Sequence, residues 1–442
     1  MERSNARVDD WWELADPGSA GRSMHDLIRE LYPICRSITG DGVRETLAIV
    51  GREIPLDVTE VPSGTEVLDW RVPREWNIRD AWIKDRAGNR VVDFRECNLH
   101  VVSYSVPIHA TMSRADLEPH LHSIPEQPDW VPYRTSYYNE SWGFCVSENQ
   151  RKSLLDDEYE VCIDSDLRDG HLTYGECVLP GTSGREVLIS SHVCHPSLCN
   201  DNLAGIAIAA HLARQLQDVD LRYTYRFVFA PGTIGAITWL ARNPEAAARI
   251  DHGLVLTCVG DPGGFTYKRS RRGAAPIDRA AAYVLERLGP GNTLVDFHPY
   301  GYDERQYCSP GFNLGVGCLM RSHHGQFPEY HTSADDLDFV RPDALAGTLD
   351  ACLRIMDVLE HDVRFRNLSP YGEPMLGRRG LYRSIGGEAG AKTNELALLW
   401  VLNQSDGEHS LLDIAERSGL EFSIIRGAAA ALVEHDLLEP VL

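Results

Sequence analysis

The stretch EVLISSHVCHPSLCNDNLAGIAIAAHLARQL, residues 186–216, decides the fold. Its first seven residues, Glu186 to His192, form an apolar run of strand length that ends on a histidine. A polar loop follows, and Leu203–Leu216 reads as a mostly apolar helix. The same alternation continues downstream. Tyr225–Ala230 predicts a strand, Ile234–Arg242 a helix and Gly253–Val259 another strand. Strands alternating with helices of this length specify βαβ units, hence an α/β fold with a mostly parallel sheet flanked by helices. In such sheets ligands sit beyond the carboxyl ends of strands. His192 lies at one of those ends.

Outward from this centre the texture changes. Residues 23–50 read as helix, turn and helix: Met24, Leu27, Ile28 and Leu31 keep helical spacing, and Ser37–Gly42 supplies the turn. Between Val72 and Pro132 come short β-like runs at Ala81–Lys84, Val91–Phe94 and Leu99–Tyr104, with a hairpin turn at Ala87–Asn89. A small β-rich insert at 72–132 would then interrupt a larger domain built from 23–71 and 133–364. Residues 366–392 are rich in Gly and Arg and read as a linker or irregular segment. Helices at Asn394–Leu402, Leu411–Ser418 and Phe422–His435 suit a winged helix within 380–442.

Composition narrows the function. The chain has 442 residues, too many for one ordinary core. With 43% hydrophobic and 24% charged residues it is globular. The 43 Lys+Arg against 65 Asp+Glu leave a formal charge of −22, which argues against a nucleic-acid partner. Residues 391–442 carry three basic and nine acidic side chains. The winged helix is therefore expected to pack or to make oligomer contacts, and it or the insert could join copies of the chain. The N-terminal MERSNARVDDWWELADPG lacks the apolar core of a signal peptide, and no 18-residue apolar run predicts a membrane span. Eleven cysteines without a regular spacing fit a reducing, cytoplasmic setting.

The chemistry concentrates after the 186–192 strand. His192 at a strand end and Asp201 at a helix start, joined by a short polar loop, offer an imidazole nitrogen and a carboxylate oxygen, a normal Zn²⁺ combination. A distant partner, His331, lies in the polar loop Pro328–Asp336. Tyr302–Tyr307 adds Asp303, Glu304 and Arg305. Cys194 and Cys199, between His192 and Asp201, are each a soft ligand, a nucleophile beside His195, or a buried small side chain. Arg134, Tyr137 and Tyr138 are placed either to grip a substrate carboxylate or ring, or in the core of the insert.

The order of these residues resembles the zinc aminopeptidase superfamily that includes the glutaminyl cyclases. More closely, the chain is similar to a bacterial aminopeptidase-like family of uncharacterised function. The resemblance rests on Arg36–Arg44 (RSITGDGVR), Val72–Asn77, Pro132–Tyr137, His192–Ser197, Pro231–Gly235 and Pro328–Asp335, and runs from about residue 23 to the C-terminus. It implies an aminopeptidase-like domain, a β-rich insert and a terminal winged helix. It also implies that His192 and His331 ligate zinc, that Asp201 ligates or bridges, that Asp303 is the active-site aspartate, and that Tyr330 precedes the ligand histidine.

The departures from that superfamily are equally specific. Its paired glutamates, base and second-metal ligand, would follow the Tyr225–Ala230 strand, where this chain has Pro231-Gly232-Thr233. The second-metal aspartate is absent from Leu256–Gly260, and Cys194 replaces an aspartate two residues after the first histidine. One zinc per chain on His192, Asp201 and His331 is the simplest consistent site. The base must come from Glu304, the first choice, or from Asp303, Glu329 or His195. Arg305 or Tyr330 would stabilise an oxyanion, and Arg134, Tyr137, His195 and Glu329 would bind substrate. The expected activity is hydrolysis of an amide or peptide-type bond in a small or short peptide-like substrate. The alternatives are a tailoring amidase or Cys-assisted hydrolase of a biosynthetic pathway, and an inactive metal-containing binding module.

Overall fold

In the computed structural model the described residues are 11–381 and 389–441. The first ten residues of the N-terminal reading, and the part of the expected linker at 382–388, lie outside them. The described chain forms two compact units, residues 15–352 and residues 353–441 with 11–14.

The larger unit is built on an eight-stranded sheet. Across it the strands run Asp57–Pro62, His171–Leu179, Thr224–Ala230, Glu186–His192, Ile250–Leu256, Val316–Met320, Thr266–Lys268 and Thr293–Val295. The four central strands, from Thr224 to Met320, pair in parallel. Glu186–His192 is buried along its whole length, as a strand covered on both faces must be, which explains its unbroken apolar run. Helices Ala204–Leu216 and Ile234–Arg242 start and stop within a residue of their sequence assignment. Pro17–Leu31 begins earlier than expected, because Asp16 caps the Ser19 amide and Pro17 occupies the first turn.

The second sheet of this unit is antiparallel, in the order Arg90–Asp93, Glu75–Lys84, Glu158–Arg168 and Ile108–Ser113. Its central Glu158–Arg168 strand lies beyond residue 132, so this β-rich body draws on more chain than 72–132. Leu99–Tyr104 is not a strand. It holds a 3₁₀ turn at Asn98–His100 and single bridges from Val101 to Phe144 and from Ser103 to Thr135. Glu75 ties this sheet to its neighbours, accepting from Arg44, from the His171 amide and from Asn77.

The smaller unit contains helices Ala389–Gln404, Leu411–Ser418 and Phe422–Glu434 and a three-stranded sheet ordered Asp406–Ser410, Arg364–Asn367, Leu438–Pro440. Its central strand, Arg364–Asn367, lies upstream of residue 380. Among the described residues no helix is long and apolar enough to cross a membrane. All eleven cysteines are free thiols.

Candidate metal centre

Asp201 is fully buried in the turn at 199–203 that leads from the central strand into helix Ala204–Leu216. Its Oδ1 lies 2.9 Å from His192 Nε2 and its Oδ2 lies 2.9 Å from His331 Nε2. His195 Nε2 is 4.0 Å from the same Oδ2. One ligand atom each from His192, His195 and Asp201 falls within 4.8 Å of the others. Of the three residues expected as ligands, His192 and Asp201 belong to this group and His331 reaches it through the second Asp201 oxygen, while His195, expected only as a base or substrate contact, is its third member.

Electrostatics suit a cation at this point. Burial alone would push the Asp201 carboxyl up, but the charges and hydrogen bonds of His195, His192 and His331 hold it well below the usual carboxylate range. Burial pushes the His195 imidazole down to about 3, so the ring is neutral at neutral pH and keeps a lone pair. A buried carboxylate with histidine nitrogens converging on it is a donor set that Zn²⁺ takes. The residues present fit the metal.

Each ligand loop has its own anchor. Asp335, fully buried, accepts the Asn200 amide at 2.6 Å and the Asp201 amide at 2.9 Å. Asn202 donates to Ser191 Oγ and to the Leu256 carbonyl. The buried Arg36 donates through Nε to the His195 carbonyl at 2.9 Å. The Tyr133 amide donates to the His331 carbonyl at 2.7 Å.

Aromatic rings wall the cluster. Tyr302 stacks on His192 at 4.6 Å and Tyr330 stacks on His331 at 4.0 Å. Tyr133 meets both His195 and His331 edge-on at 5.1 Å. Hydroxyl pairs Tyr302–Tyr330 and Tyr133–Tyr137, each at 2.9 Å, link these rings.

The other expected site residues are distributed unevenly. Asp303 is buried, and its Oδ1 accepts the Thr233 amide at 2.7 Å. Burial pushes its carboxyl up to about 6 against the pull of His192 and the Thr233 amide. Arg305 donates to Thr233 Oγ1. Glu304, the first choice as base, is paired instead with the buried Lys268 ammonium, Nζ to Oε1 2.5 Å. Among the described residues, Glu329 makes its hydrogen bonds through its backbone carbonyl, to the Thr332 amide and hydroxyl. Arg134 is exposed and exerts its charge on His122 and Cys145. Tyr138 is half-exposed against Trp70.

The two cysteines separate. Cys194 Sγ accepts the Gly232 amide at 3.1 Å and lies 3.6 Å from His195 Nδ1, with burial pushing its thiol well up. Cys199 is buried with its amide on the Asp335 carbonyl, outside the cluster. A Cβ at Gly232 would meet Cys194 Sγ at 3.2 Å and the His192 side chain at 3.7 Å, so the departure at 232 and that at 194 belong together.

Residues 25–362 match the family described as a domain of unknown function, DUF4910. The chain belongs to the DUF4910 family. A winged helix-turn-helix family matches residues 363–440, which takes in the Arg364–Asn367 strand. A protein of Clostridium acetobutylicum is 50% identical over 428 residues, covering 97% of this chain and 98% of its own. Its provisional name is polysaccharide biosynthesis protein with aminopeptidase-like domain. A crystal structure of a provisionally named peptidase from the same species superimposes on this DUF4910 protein with a TM-score of 0.92 at 49% identity, covering 97% and 98% of the two chains. A zinc aminopeptidase from Bacillus subtilis matches with a TM-score of 0.55 at 12% identity, covering 77% of this chain and 94% of its own. At that distance the likeness is one of fold. The DUF4910 chain is an aminopeptidase-like α/β domain followed by a winged helix.

Proposed function

We propose that this DUF4910 protein is a zinc-dependent hydrolase of an amide or peptide-type bond in a small substrate. The observation that carries the reading is the buried Asp201 carboxylate, with a histidine nitrogen 2.9 Å from each oxygen. His192, Asp201 and His331 would hold one ion, with His195 as a fourth donor or a substrate contact. When bound, zinc supplies Lewis acidity toward a carbonyl oxygen and acidifies a water.

The chain's own residues would do the rest. With Glu304 committed to Lys268, Asp303 is the carboxyl assigned to proton transfer: it holds a proton below about pH 6 and releases it above. Tyr302 and Tyr330, neutral because burial pushes both hydroxyls up, orient the rings of His192 and His331. Arg305, beside Thr233 and Asp303, is placed to steady developing negative charge. The Tyr133, Tyr302 and Tyr330 walls restrict the site to small groups.

A more specific reading is favoured by two observations. Gly232 stands where the resemblance to the zinc aminopeptidases would put a glutamate, and the Clostridium relative is named for polysaccharide biosynthesis. Both support a tailoring amidase acting on an N-acylated sugar precursor over a general peptidase. Purified protein should contain about one zinc per chain by elemental analysis, and His331→Ala should lose both the zinc and turnover. Full zinc in that variant would remove His331 from the ligand set. A panel of aminoacyl-nitroanilides against N-acetylated amino sugars separates the two substrate classes, because a general aminopeptidase cleaves several nitroanilides.

A further inference from the structure

The charged pair buried behind the site, Lys268 and Glu304, has no role in the chemistry above. Lys268 is 1% exposed and sits at the end of strand Thr266–Lys268, paired across the sheet with Cys318. Its Nζ lies 2.5 Å from Glu304 Oε1 and donates to the carbonyls of His298 and Tyr300 at 3.1 and 3.0 Å. Both charged side chains are withdrawn from water, and no hydrogen-bond donor other than Lys268 is found for the Glu304 carboxylate among the described residues. Gly301 fits between them: any Cβ there would run into both Lys268 Nζ and Glu304 Oε1. The segment 298–304 is thereby fastened to the sheet at three points. Within it lie Tyr302, stacked on His192, and Asp303, bonded to the Thr233 amide.

We infer that Lys268 and Glu304 are positioning residues, a buried lock that holds Tyr302 and Asp303 against the metal cluster. Glu304 is then no base, although it neighbours one. The alternatives make opposite demands on paired substitutions. Removing one member of a buried ion pair strands the other charge, whereas replacing both by apolar side chains of similar size is close to neutral. A base cannot be restored by a second substitution, but a lock can. The inference rests on the metal-site reading for its effect on zinc, and on the contacts of the 298–304 segment alone for its existence.

The test uses the full-length chain as wild type, Lys268→Met, Glu304→Gln and the double variant Lys268→Met/Glu304→Leu. Hydrogen exchange of the 298–304 amides, read by mass spectrometry, should speed at least tenfold in each single variant and return to within threefold of wild type in the double. Zn²⁺ affinity by competition with a chromophoric chelator should fall at least tenfold in the singles and recover in the double, and the visible spectrum of the Co²⁺-loaded protein should follow the same pattern. Singles with wild-type exchange would overturn the lock, and so would a double variant as damaged as either single. Singles that fail to fold while the double folds support it; a double that also fails to fold overturns it. If wild type binds neither Zn²⁺ nor Co²⁺, the metal-site reading fails while the exchange measurement still decides the lock.

Discussion

Asp303 and Glu304 are adjacent in sequence and opposite in circumstance. The Glu304 carboxylate has a cation at 2.5 Å, whereas Asp303 has an amide and the more distant charges of His192 and Arg305. Two consequences follow for Asp303. Because its carboxyl is raised to about 6, turnover limited by its ionised form should climb as pH rises through 6. Asp303→Asn should remove that limb and lower kcat by about 10²- to 10⁴-fold; a mutant profile that keeps the limb assigns it elsewhere. The stability effect has the other sign. A carboxyl raised in the fold weakens the fold progressively as pH climbs from about 4, its unfolded value, to about 6. In metal-free protein, Asp303→Asn should therefore raise Tm at pH 8 and leave it nearly unchanged at pH 4. Cys194 gives a parallel test of covalent chemistry: with its thiol held protonated by burial, Cys194→Ala should keep turnover within about tenfold, while a loss of 10³ or more would make it the nucleophile. At this scale the sequence showed which residue types were present but not which partner each would find. That His192 and His331 would both reach Asp201 was legible because ligand chemistry narrows the choice of candidates. Tyr133 was not, since its neighbour Arg134 carries the more conspicuous functional group yet stays in solvent. Asp335 and Lys268 act through backbone groups of remote loops, and no spacing rule encodes that.

The elements divide along the same line between local and long-range information. Strand Glu186–His192 and helices Ile234–Arg242 and Leu411–Ser418 could be read to the residue because their apolar patterns, and the Ser410 cap of the last, are local. Glu158–Arg168 alternates buried with more exposed positions over most of its length, but the residues it pairs with in Glu75–Lys84 and Ile108–Ser113 lie 45 to 93 positions upstream, so its sheet was not evident. Arg364–Asn367 is four residues of mixed polarity and becomes a strand only between Asp406–Ser410 and Leu438–Pro440. The junction of the two sheets of the larger unit can be tested at Glu75. Burial pushes this carboxyl up, but Arg44, the His171 amide and Asn77 outweigh it and bring it down to about 2. A carboxyl depressed in the fold stabilises fully above its unfolded value of about 4.3 and loses that contribution as pH falls toward 2. The span corresponds to about 3 kcal/mol. Glu75→Gln should lower Tm at pH 7 and flatten the decline in stability between pH 4.5 and 2.5. A variant as stable as wild type at pH 7 would show that the Arg44–Glu75 pair only offsets its own desolvation.

For the whole molecule, charge decides what the terminal winged helix can do. A winged helix that reads DNA neutralises phosphates with clustered Lys and Arg, and non-specific affinity scales with the number of such contacts. Here residues 363–440, the winged-helix match, carry eight basic side chains against eleven acidic ones, within a chain of net charge −22. Of these basic side chains, Arg426 is already paired through Nη1 with the buried Asp357 at 2.5 Å, and Arg417 bonds Gln404. A phosphate approaching this unit would meet a net negative charge, and lowering the salt would strengthen that repulsion. The full chain should therefore leave a 30-base-pair duplex unshifted at about 10 μM protein in both 50 and 200 mM salt, by fluorescence anisotropy. Binding that tightens steeply at the lower salt would return the winged helix to nucleic-acid recognition.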